Sequence, residues 1–164
     1  MKKAKDKIGA VMVIGGGVAG VQACLDLADI GYYVYLVENS SAIGGRMAQL
    51  DKIFPTNDCA MCILSPKLVE CSRHPNIKIF TLSKVKEVIG EEGNFEVKIS
   101  QYPRYIDINK CIACGICASI CPKKVKDEFN QGLNFRKAAY IKYPQAVPLK
   151  YAIDPNVCIK IRRN

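Results

Sequence analysis

The sequence contains no apolar run long enough to cross a bilayer, and no small-residue cleavage site of a secretory signal follows its apolar segment. The most apolar stretch, residues 11–27, is interrupted by four glycines and by Gln22, whereas a membrane-spanning helix needs about 20 predominantly apolar residues. The basic start, residues 1–7, is therefore predicted to be a short solvated tail. These absences argue against a membrane span and against secretion, and a cytoplasmic location is expected.

Histidine is also scarce. His74 is the only one, and its position in a His-Pro-Asn turn is more typical of a capped surface residue than of a metal ligand. No other side chain stands out as a general base or a nucleophile. The sequence therefore does not indicate acid–base or covalent catalysis, and no catalytic residue is predicted.

A contiguous block of positive charge is missing too, although the formal net charge is +9. Lysines and arginines are spread along the chain without the interleaved aromatic residues that stack on bases. Nucleic-acid binding is therefore not predicted. A diffuse positive surface can instead steer an acidic electron-transfer partner, through a field that salt screens.

Cysteine, in contrast, is abundant. The chain has nine cysteines, an odd number, and no sign of secretion, which favours reduced thiols and metal ligation over disulfides. Cys24 and Cys71 lie on apolar helical faces and are predicted to be buried core residues. The remaining cysteines are candidates for redox or metal chemistry.

Four of these cysteines form the most specific motif of the chain. Cys111, Cys114, Cys117 and Cys121, followed by Pro122, have the C-x2-C-x2-C-x3-C-P spacing of bacterial ferredoxins. Structural zinc sites usually separate two C-x2-C pairs by a dozen or more residues, and a disulfide-rich knot needs an oxidising compartment. The run therefore predicts a 4Fe–4S cluster bound by these four thiolates.

A second motif lies near the N-terminus. Residues 11–14 predict a strand that ends at Gly15, and a helical pattern follows. Gly15, Gly17 and Gly20 have the spacing of the dinucleotide fingerprint, in which the first glycine makes a tight turn, the second admits the pyrophosphate and the third lets helix and strand pack closely. The predicted buried face of the helix comprises Val21, Cys24, Leu25 and Ala28.

The residues after this helix complete the nucleotide motif. Gly31 ends the helix, residues 33–37 predict the second parallel strand, and Glu38 follows it eighteen residues after Gly20. An acidic side chain at this position can accept both hydrogen bonds of an adenosine ribose, and it would repel the 2′-phosphate of NADP. A strand, a glycine turn, a helix, a second strand and a terminal acid in this order make an incidental glycine loop an unsatisfactory explanation.

Another glycine pair indicates which dinucleotide is bound. Gly44, Gly45 and Arg46 come shortly after the acid, a pattern similar to that of FAD-containing enzymes with two dinucleotide-binding domains. NAD-binding domains do not generally show it. FAD is therefore favoured over NAD, while a plain surface turn with a solvated arginine is the alternative.

Cys59 and Cys62 form a separate C-x2-C pair. Such a pair can be a redox dithiol, half of a metal site or two core thiols, and dithiol chemistry requires the pair to open a helix. Ser65 and Pro66 predict a helix start at those residues, which would leave the pair before the helix. Partial cluster ligation therefore ranks ahead of dithiol chemistry, with buried structural cysteines close behind.

Three further strands are predicted downstream. Residues 77–80 indicate a third parallel strand, and residues 85–88 and 95–99 alternate on either side of a glycine-containing turn, as in a β-hairpin. The fold class is therefore α/β, with a partial Rossmann-like FAD-binding domain, containing a parallel sheet and a hairpin, followed by a small ferredoxin-like segment. The predicted boundaries are 1–103 for the first half of the FAD-binding domain and 104–164 for the ferredoxin-like segment.

These motifs and the residues around them resemble the A subunit of heterodisulfide reductase and its relatives. The similarity covers nearly the whole chain after residue 10. It rests on residues 15–38, 44–52, 54–70, 111–122, 127–133, 136–138 and 144–148.

The resemblance implies an oxidoreductase component that contains FAD and 4Fe–4S clusters and transfers electrons within a complex in methanogenesis. The implied partners are the other heterodisulfide-reductase-type subunits, a hydrogenase- or formate-dehydrogenase-type donor and ferredoxin. The residues that match the family's FAD motif are Gly15, Gly17, Gly20, Glu38, Gly44, Gly45 and Arg46. The residues that match its cluster motif are Cys111, Cys114, Cys117 and Cys121.

The chain departs from this family in length, because family members are several times longer. Cys158 stands where the family opens a second cluster motif, yet only six residues follow it. The fourth ligand to Cys111, Cys114 and Cys117 is therefore either Cys121 or Cys158, or it is absent. The chain is expected to be a fragment or a truncated relative that is inactive without its partners and the downstream half.

Two alternatives to an electron-transfer component remain at this stage. A cluster-bearing assembly or binding module, without turnover of its own, would dock in a larger redox complex. A zinc-binding structural protein is disfavoured by the cysteine spacing and would be colourless.

Overall fold

The computed structural model describes residues 9–163, so the predicted N-terminal tail lies outside the described residues. The first part of the chain alternates strands and helices and ends in two long strands. Its elements are β1 Ala10–Ile14, α1 Val18–Asp29, β2 Tyr33–Val37, a 3-10 helix Met47–Gln49, α2 Ala60–Arg73, β3 Ile77–Phe80, β4 Ser83–Glu91 and β5 Asn94–Gln101.

Strands β1, β2 and β3 form a parallel sheet with β2 in the centre. Val34 of β2 lies between Val11 of β1 and Ile77 of β3 in the register of the sheet. Helices α1 and α2 make the two crossovers, as parallel strands require. This arrangement places the ends of β1 and β2 side by side, and nucleotides bind beyond this edge in open α/β sheets.

The apolar faces of the two helices cover this sheet. Helix α1 buries Val21, Cys24, Leu25 and Ala28, which are the four residues predicted from the sequence. Helix α2 buries Ala60, Leu64, Leu68 and Cys71, which lie on one face at helical spacing. Cys24 and Cys71 are both completely buried, which confirms their prediction as core residues.

The predicted start of α2 is wrong. The helix begins at Ala60, with Cys59 as its N-cap residue, and Pro66 lies inside it. The early start is stable because the first-turn donors find partners: the Ala60 N–H donates to the Asp51 carbonyl at 3.0 Å, and the Cys62 N–H donates to Cys59 Sγ at 3.2 Å. Pro66 lacks only the one N–H that would reach the Cys62 carbonyl.

The hairpin is confirmed. Strands β4 and β5 are antiparallel, and Glu91 pairs with Asn94 across the tight turn. A bulge between Val85 and Glu87 shifts the register of the ladder, which increases the local twist of the ribbon.

The second part of the chain has short elements and long connections. They are α3 Ile116–Ser119, β6 Lys124–Lys126, β7 Phe135–Lys137, β8 Ala139–Tyr140, β9 Ala152–Ile153 and α4 Ile159–Arg162. Residues of this part return to the sheet: Tyr143 and Ala146 are buried in the same core as α1 and α2, and Val147 pairs with Ile43. The boundary at residue 103 therefore stays a prediction, since the second part packs on the first.

No helix within residues 9–163 has the length and apolar character that a membrane crossing requires.

Tyr143 links the two parts of the chain. Its hydroxyl donates to the Ile43 carbonyl at 2.5 Å and accepts from the Val147 N–H at 3.3 Å. Replacing Tyr143 with phenylalanine leaves both backbone groups without this partner, so we expect a loss of about 1–3 kcal/mol in the free energy of unfolding. Chemical denaturation measures this loss.

The matched control is Tyr102→Phe, because the Tyr102 side chain is 46% exposed. We expect its free energy of unfolding to change by less than about 0.5 kcal/mol. Equal losses for the two variants would contradict the role of Tyr143 as the link.

Candidate functional site

The first glycine loop has the geometry that the dinucleotide fingerprint predicts. Gly15 has a φ of +100°, a conformation that favours glycine. A Cβ on Gly20 would overlap the Gly15 carbonyl oxygen, whereas a Cβ on Gly17 would have no heavy atom within 4 Å. Gly20 therefore permits close packing of helix and loop, and Gly17 leaves open space in front of the backbone.

The open space at Gly17 faces the start of α1. Gly17 is the N-cap residue of this helix, and no side chain caps it. The first N–H groups of a helix lack intrahelical partners, and they carry the positive end of the helix dipole. This end of α1 therefore suits a pyrophosphate, in agreement with the fingerprint.

Glu38 is held at the end of β2 by two backbone donors. Its Oε2 accepts from the Gly16 N–H and its Oε1 from the Ser40 N–H, both at 2.7 Å. A carboxylate has about four acceptor positions, so two remain for the hydroxyl groups of a ribose. The side chain thus both fixes the glycine loop and offers the predicted acceptor.

Gly16 is a functional position that sequence reasoning missed. A Cβ on Gly16 would lie 2.7 Å from Cγ2 of Ile43, and its N–H is the donor to Glu38. The three-glycine fingerprint treats this position as variable. The only sign of this role in the sequence is that Gly16 lies within a run of three consecutive glycines, Gly15 to Gly17.

The second glycine pair lies directly against the first loop. The Gly44 N–H donates to the Gly16 carbonyl at 2.6 Å, and a Cβ on Gly45 would lie 3.0 Å from the Gly17 Cα. Gly44 has a φ of +107° and Gly45 a φ of +60°. The structure thus brings together the two glycine motifs that the sequence assigned to one FAD site.

A cavity of about 320 Å³ opens beside these loops, and its lining comes from both parts of the chain. Glu38, Gly45 and Arg46 of the first part line it together with Arg136 and Lys142 of the second part. Sequence reasoning did not find Arg136 or Lys142, because neither belongs to a nucleotide motif. Burial lowers the pKa of the Lys142 ammonium, against the opposing effect of the Glu38 and Glu128 charges.

The two hydrogen bonds of Glu38 allow a direct test of its structural role. In Glu38→Gln the carboxylate becomes an amide, whose NH₂ group cannot accept from a second backbone N–H. We expect the free energy of unfolding to fall by about 1.5–3 kcal/mol, the usual value of a hydrogen bond to a charged group. Thermal or chemical denaturation measures the change.

Glu92→Gln is the control for this prediction, because Glu92 is exposed in the hairpin turn. Its free energy of unfolding should change by less than about 0.5 kcal/mol. An unchanged stability of Glu38→Gln would show that the carboxylate does not hold the glycine loop.

Three cysteines of the ferredoxin run line a second cavity, of about 380 Å³. Cys111, Cys114 and Cys117 share it with Gly115 and Tyr151. Gly115 has a φ of +83° and precedes the short helix α3, so it turns the chain where a residue with a Cβ would be strained. The run thus curls back on itself and directs three thiols into one space.

Backbone donors and cations surround these thiols. A hydrogen bond from the Tyr151 backbone lowers the pKa of Cys111, whereas burial raises the pKa of Cys117. The Lys150 ammonium donates to the Cys111 carbonyl at 2.6 Å. Hydrogen bonds and positive charge of this kind stabilise thiolates, which are the form that binds iron.

Cys121 and Cys158 lie together in a third cavity, of about 450 Å³. Neither of them lines the cavity of the other three cysteines. Burial alone would raise the pKa of the Cys121 thiol. Hydrogen bonds from the backbone of Ala139, Lys123 and Ala138 outweigh burial, so the pKa is lowered. The Lys137 ammonium donates to the Cys121 carbonyl at 2.5 Å. Further cations line this cavity, namely Lys123, Lys160 and Arg163.

The donor set fits an iron–sulfur cluster better than a single metal ion. Within residues 9–163, no three histidine, cysteine, aspartate or glutamate side chains lie close enough to hold one ion. A cluster places its thiolates on different iron atoms, so they stand farther apart than the ligands of one ion. Three thiols around an open cavity, among cations that balance a negatively charged cluster, satisfy this requirement.

Cys59 and Cys62 lie in neither cysteine cavity. They are joined to each other as a disulfide, so the expectation of reduced thiols is wrong for this pair. Their Cα atoms are 5.3 Å apart, within the usual range for a disulfide, because the first turn of α2 brings them together. Cluster ligation by the reduced pair stays a prediction.

His74 takes a structural position. It ends α2, its Nδ1 accepts from the Asn76 N–H at 3.1 Å, and its Nε2 lies 3.5 Å from Asp29. These contacts join the ends of the two helices, and the His74 side chain is only 17% exposed.

Comparisons with known proteins agree with the cysteine motif. Residues 104–126 match the model of the 4Fe–4S binding domain. The chain is 59% identical over 142 residues to the second of the iron–sulfur A subunits of CoB–CoM heterodisulfide reductase from Methanopyrus kandleri, a match that covers 87% of this chain and 22% of that protein. It is 56% identical to the iron–sulfur A subunit of the corresponding reductase from Methanocaldococcus jannaschii, over 91% of this chain and 23% of that protein.

A further relative is the A subunit of the H(2)/formate:CoB-CoM heterodisulfide,ferredoxin reductase from Methanococcus maripaludis. The identity is 52%, over 93% of this chain and 23% of that protein. Among solved structures, L-proline dehydrogenase from P. horikoshii has a TM-score of 0.47 and 25% identity, over 59% of this chain and 20% of that one. The chain thus spans about a fifth of the length of the curated relatives that it matches.

The glycine loops, the cysteine cavities and these similarities lead to one assignment. Residues 104–126 match a 4Fe–4S binding domain, as the cysteine run predicts, and FAD stays the dinucleotide predicted from the glycine motifs. The fold is α/β, with a Rossmann-like parallel sheet joined to a segment that matches the 4Fe–4S binding domain. Over 87–93% of its length, the chain is 52–59% identical to A subunits of heterodisulfide reductase, the family that the sequence motifs resemble.

Proposed function

We propose that this chain is the part of an electron-transfer flavo-iron–sulfur protein in which the flavin nucleotide site and the cluster sites are built together. One observation carries this proposal. The nucleotide cavity is lined by Glu38 and Arg46 and also by Arg136 and Lys142, which come from the predicted ferredoxin-like segment. Both sites therefore depend on a single packed unit.

The residues have the following proposed roles at the FAD site. Gly15, Gly17 and Gly20 shape the loop that admits the pyrophosphate, and the α1 N-terminus donates to it. Glu38 accepts from the ribose. Gly44 and Gly45 close over the first loop, and Arg46 supplies a positive charge to the phosphates.

The cysteines have different proposed roles in the two cavities. Cys111, Cys114 and Cys117 hold one 4Fe–4S cluster. Cys121 and Cys158 hold part of a second, because in two-cluster ferredoxins the fourth cysteine of a run binds the other cluster. When bound, FAD takes up or releases electrons in pairs, and the clusters carry single electrons.

The chain's own residues then have three tasks. They bind the cofactors, fix the separation between nucleotide and cluster sites, and adjust the local charge with Lys137 and Lys150, which donate to the carbonyls of cluster cysteines. No side chain near these sites has to act as a general base, in keeping with the absence of a predicted catalytic residue. The proposed activity is therefore that of an oxidoreductase component, exerted with the rest of its complex.

The proposed partners follow from the relatives' names. Three of these proteins are named as heterodisulfide reductases that use hydrogen, hydrogen or formate, or ferredoxin. We therefore include hydrogenase- or formate-dehydrogenase-type donors, ferredoxin and the other reductase subunits as partners of the whole protein, in the cytoplasm. Nucleic acid is not among them.

The test is purification of the chain without oxygen, with iron, sulfide and flavin assayed on one sample. We expect bound flavin together with iron and sulfide, and broad visible absorbance from thiolate-bound clusters. Iron without flavin would support the alternative, a cluster-bearing module without turnover, and would overturn the proposed joint site. A colourless protein with zinc would overturn both.

A further inference from the structure

We propose that Cys59 and Cys62 form a redox-active disulfide that exchanges electron pairs with small thiols and disulfides. In this exchange Cys62 is the sulfur that an outside thiolate attacks, and Cys59 is the leaving thiolate. The pair lies in neither cluster cavity and in no part of the nucleotide cavity. The inference is therefore independent of FAD and iron.

The position of Cys59 stabilises a negative charge on its sulfur. Cys59 is the N-cap residue of α2, a helix of 14 residues whose first turn contains no acidic side chain. The Cys62 N–H donates to Cys59 Sγ at 3.2 Å. A hydrogen bond from the backbone and the positive end of the helix dipole both favour the thiolate.

The charged groups around Cys59 do not cancel this effect. Asp51, Lys52 and Asp58 are charged residues that adjoin Cys59 in the chain or through the backbone: the Asp51 carbonyl accepts from Ala60, and Lys52 pairs with Cys59. All three side chains are exposed, so solvent screens their charges. The short, direct N–H contact is then the larger influence on the sulfur.

The sulfur that is to be attacked is more accessible to solvent than the sulfur that is to leave, as the exchange requires. Cys62 is exposed and Cys59 is half-buried, so an outside thiolate reaches Cys62 first. Exchange is fast when the leaving thiol has a low pKa. The exposed sulfur is therefore attacked while the stabilised one leaves.

The reaction balances with two equivalents of a small thiol. The first thiolate attacks Cys62 Sγ, the Cys59–Cys62 bond breaks, and Cys59 leaves as a thiolate. The second thiolate attacks the outer sulfur of the mixed disulfide and releases Cys62 as a thiolate, which takes a proton from solvent. The protein disulfide gains two electrons, and two thiols are oxidised to a small disulfide.

The chain offers a convenient readout, because trypsin cuts after Lys52 and Lys67 and leaves both cysteines on the peptide 53–67. The oxygen-free protein is equilibrated with reduced and oxidised glutathione in different ratios, quenched in acid, alkylated and digested. We expect this peptide to change from no label to two labels in one transition. Cys24 and Cys71, which are completely buried, should react only after denaturation and serve as internal controls.

The mixed disulfide tests which sulfur is attacked. We expect glutathione adducts on Cys62 and not on Cys59 in the intact chain. The variants Cys62→Ser and Cys59→Ser each keep one thiol of the pair. At pH 7, the Cys59 thiol of the first variant should react with iodoacetamide about fivefold to tenfold faster than the Cys62 thiol of the second. Equal rates, or adducts on Cys59, would overturn the assigned roles.

Two other results would overturn the proposal as a whole. A disulfide that glutathione reduces only after denaturation would be a structural bond. A loss of iron in both Cys59→Ser and Cys62→Ser would assign the pair to cluster ligation instead. We expect the iron content of both variants to equal that of the unmodified chain, and the equilibration of the unmodified chain decides the question even if a variant fails to fold.

Discussion

Gly20→Ala is expected to destabilise the first βαβ unit strongly, whereas Gly17→Ala is expected to fold normally and lose FAD. The two glycines are three residues apart in the same loop, yet their surroundings are opposite. A Cβ on Gly20 would overlap the Gly15 carbonyl oxygen, which is backbone and cannot move aside. A Cβ on Gly17 would meet no heavy atom within 4 Å.

The size of the Gly20 effect follows from overpacking. Extra atoms in a tightly packed site cost about 1–3 kcal/mol, and the overlap here is with rigid backbone, so we expect at least about 3 kcal/mol. A domain has only about 5–15 kcal/mol of stability in total. Circular dichroism during chemical denaturation measures the loss.

The Gly17 variant separates binding from folding. Gly17 has extended backbone, with φ −73° and ψ −176°, which alanine adopts without strain, so its free energy of unfolding should change by less than about 1 kcal/mol. The added methyl group occupies the space in front of the α1 N-terminus, where the pyrophosphate approaches the backbone. Flavin content after purification is the measurement. Full flavin in Gly17→Ala would contradict the proposed FAD site.

The second large effect concerns the cysteine cavities. Cys117→Ser is expected to remove nearly all of the iron that the chain binds, while Cys158→Ser and Cys121→Ser retain it. Cys117 is one of three thiols in the first cavity, and a cluster that loses one of three cysteine ligands is no longer held. Cys121 and Cys158 lie in the other cavity, where the described residues offer only two thiols.

Iron and sulfide per chain, measured after purification without oxygen, test this assignment. Cys24→Ser is not a suitable control, since Cys24 is buried in the core; the Cys121 and Cys158 variants serve as controls for each other. If either of them loses the iron as completely as Cys117→Ser does, that cysteine is the fourth ligand of the first cluster. The two cavities would then contribute ligands to one and the same cluster.

Both predictions depend on features that short-range patterns in the chain already indicate. The fingerprint glycines precede a helix whose buried face was predicted residue by residue, because helical periodicity depends only on neighbours three and four positions apart. The hairpin follows in the same way from alternation around a glycine turn. The ferredoxin spacing likewise encodes a tight curl of the backbone.

The start of α2 shows where such patterns fail. Ser65 and Pro66 form a good local start signal, yet the helix begins at Ala60. The earlier start depends on the Asp51 carbonyl and on the Cys59 sulfur as acceptors. Position in the fold therefore overrides the local signal, and it changes the chemistry expected of the C-x2-C pair.

Local spacing was sufficient to identify the strands, the glycine turns and the cysteine run, and hence to predict the cofactors, because each of these patterns involves near neighbours in the chain. Only the folded chain decided that Lys142 and Glu38 line one cavity and that Cys121 shares a cavity with Cys158 rather than with Cys111. These pairs are far apart in sequence. They meet because the segment that carries Tyr143 is buried against the first core. No periodic pattern in the sequence indicates this burial.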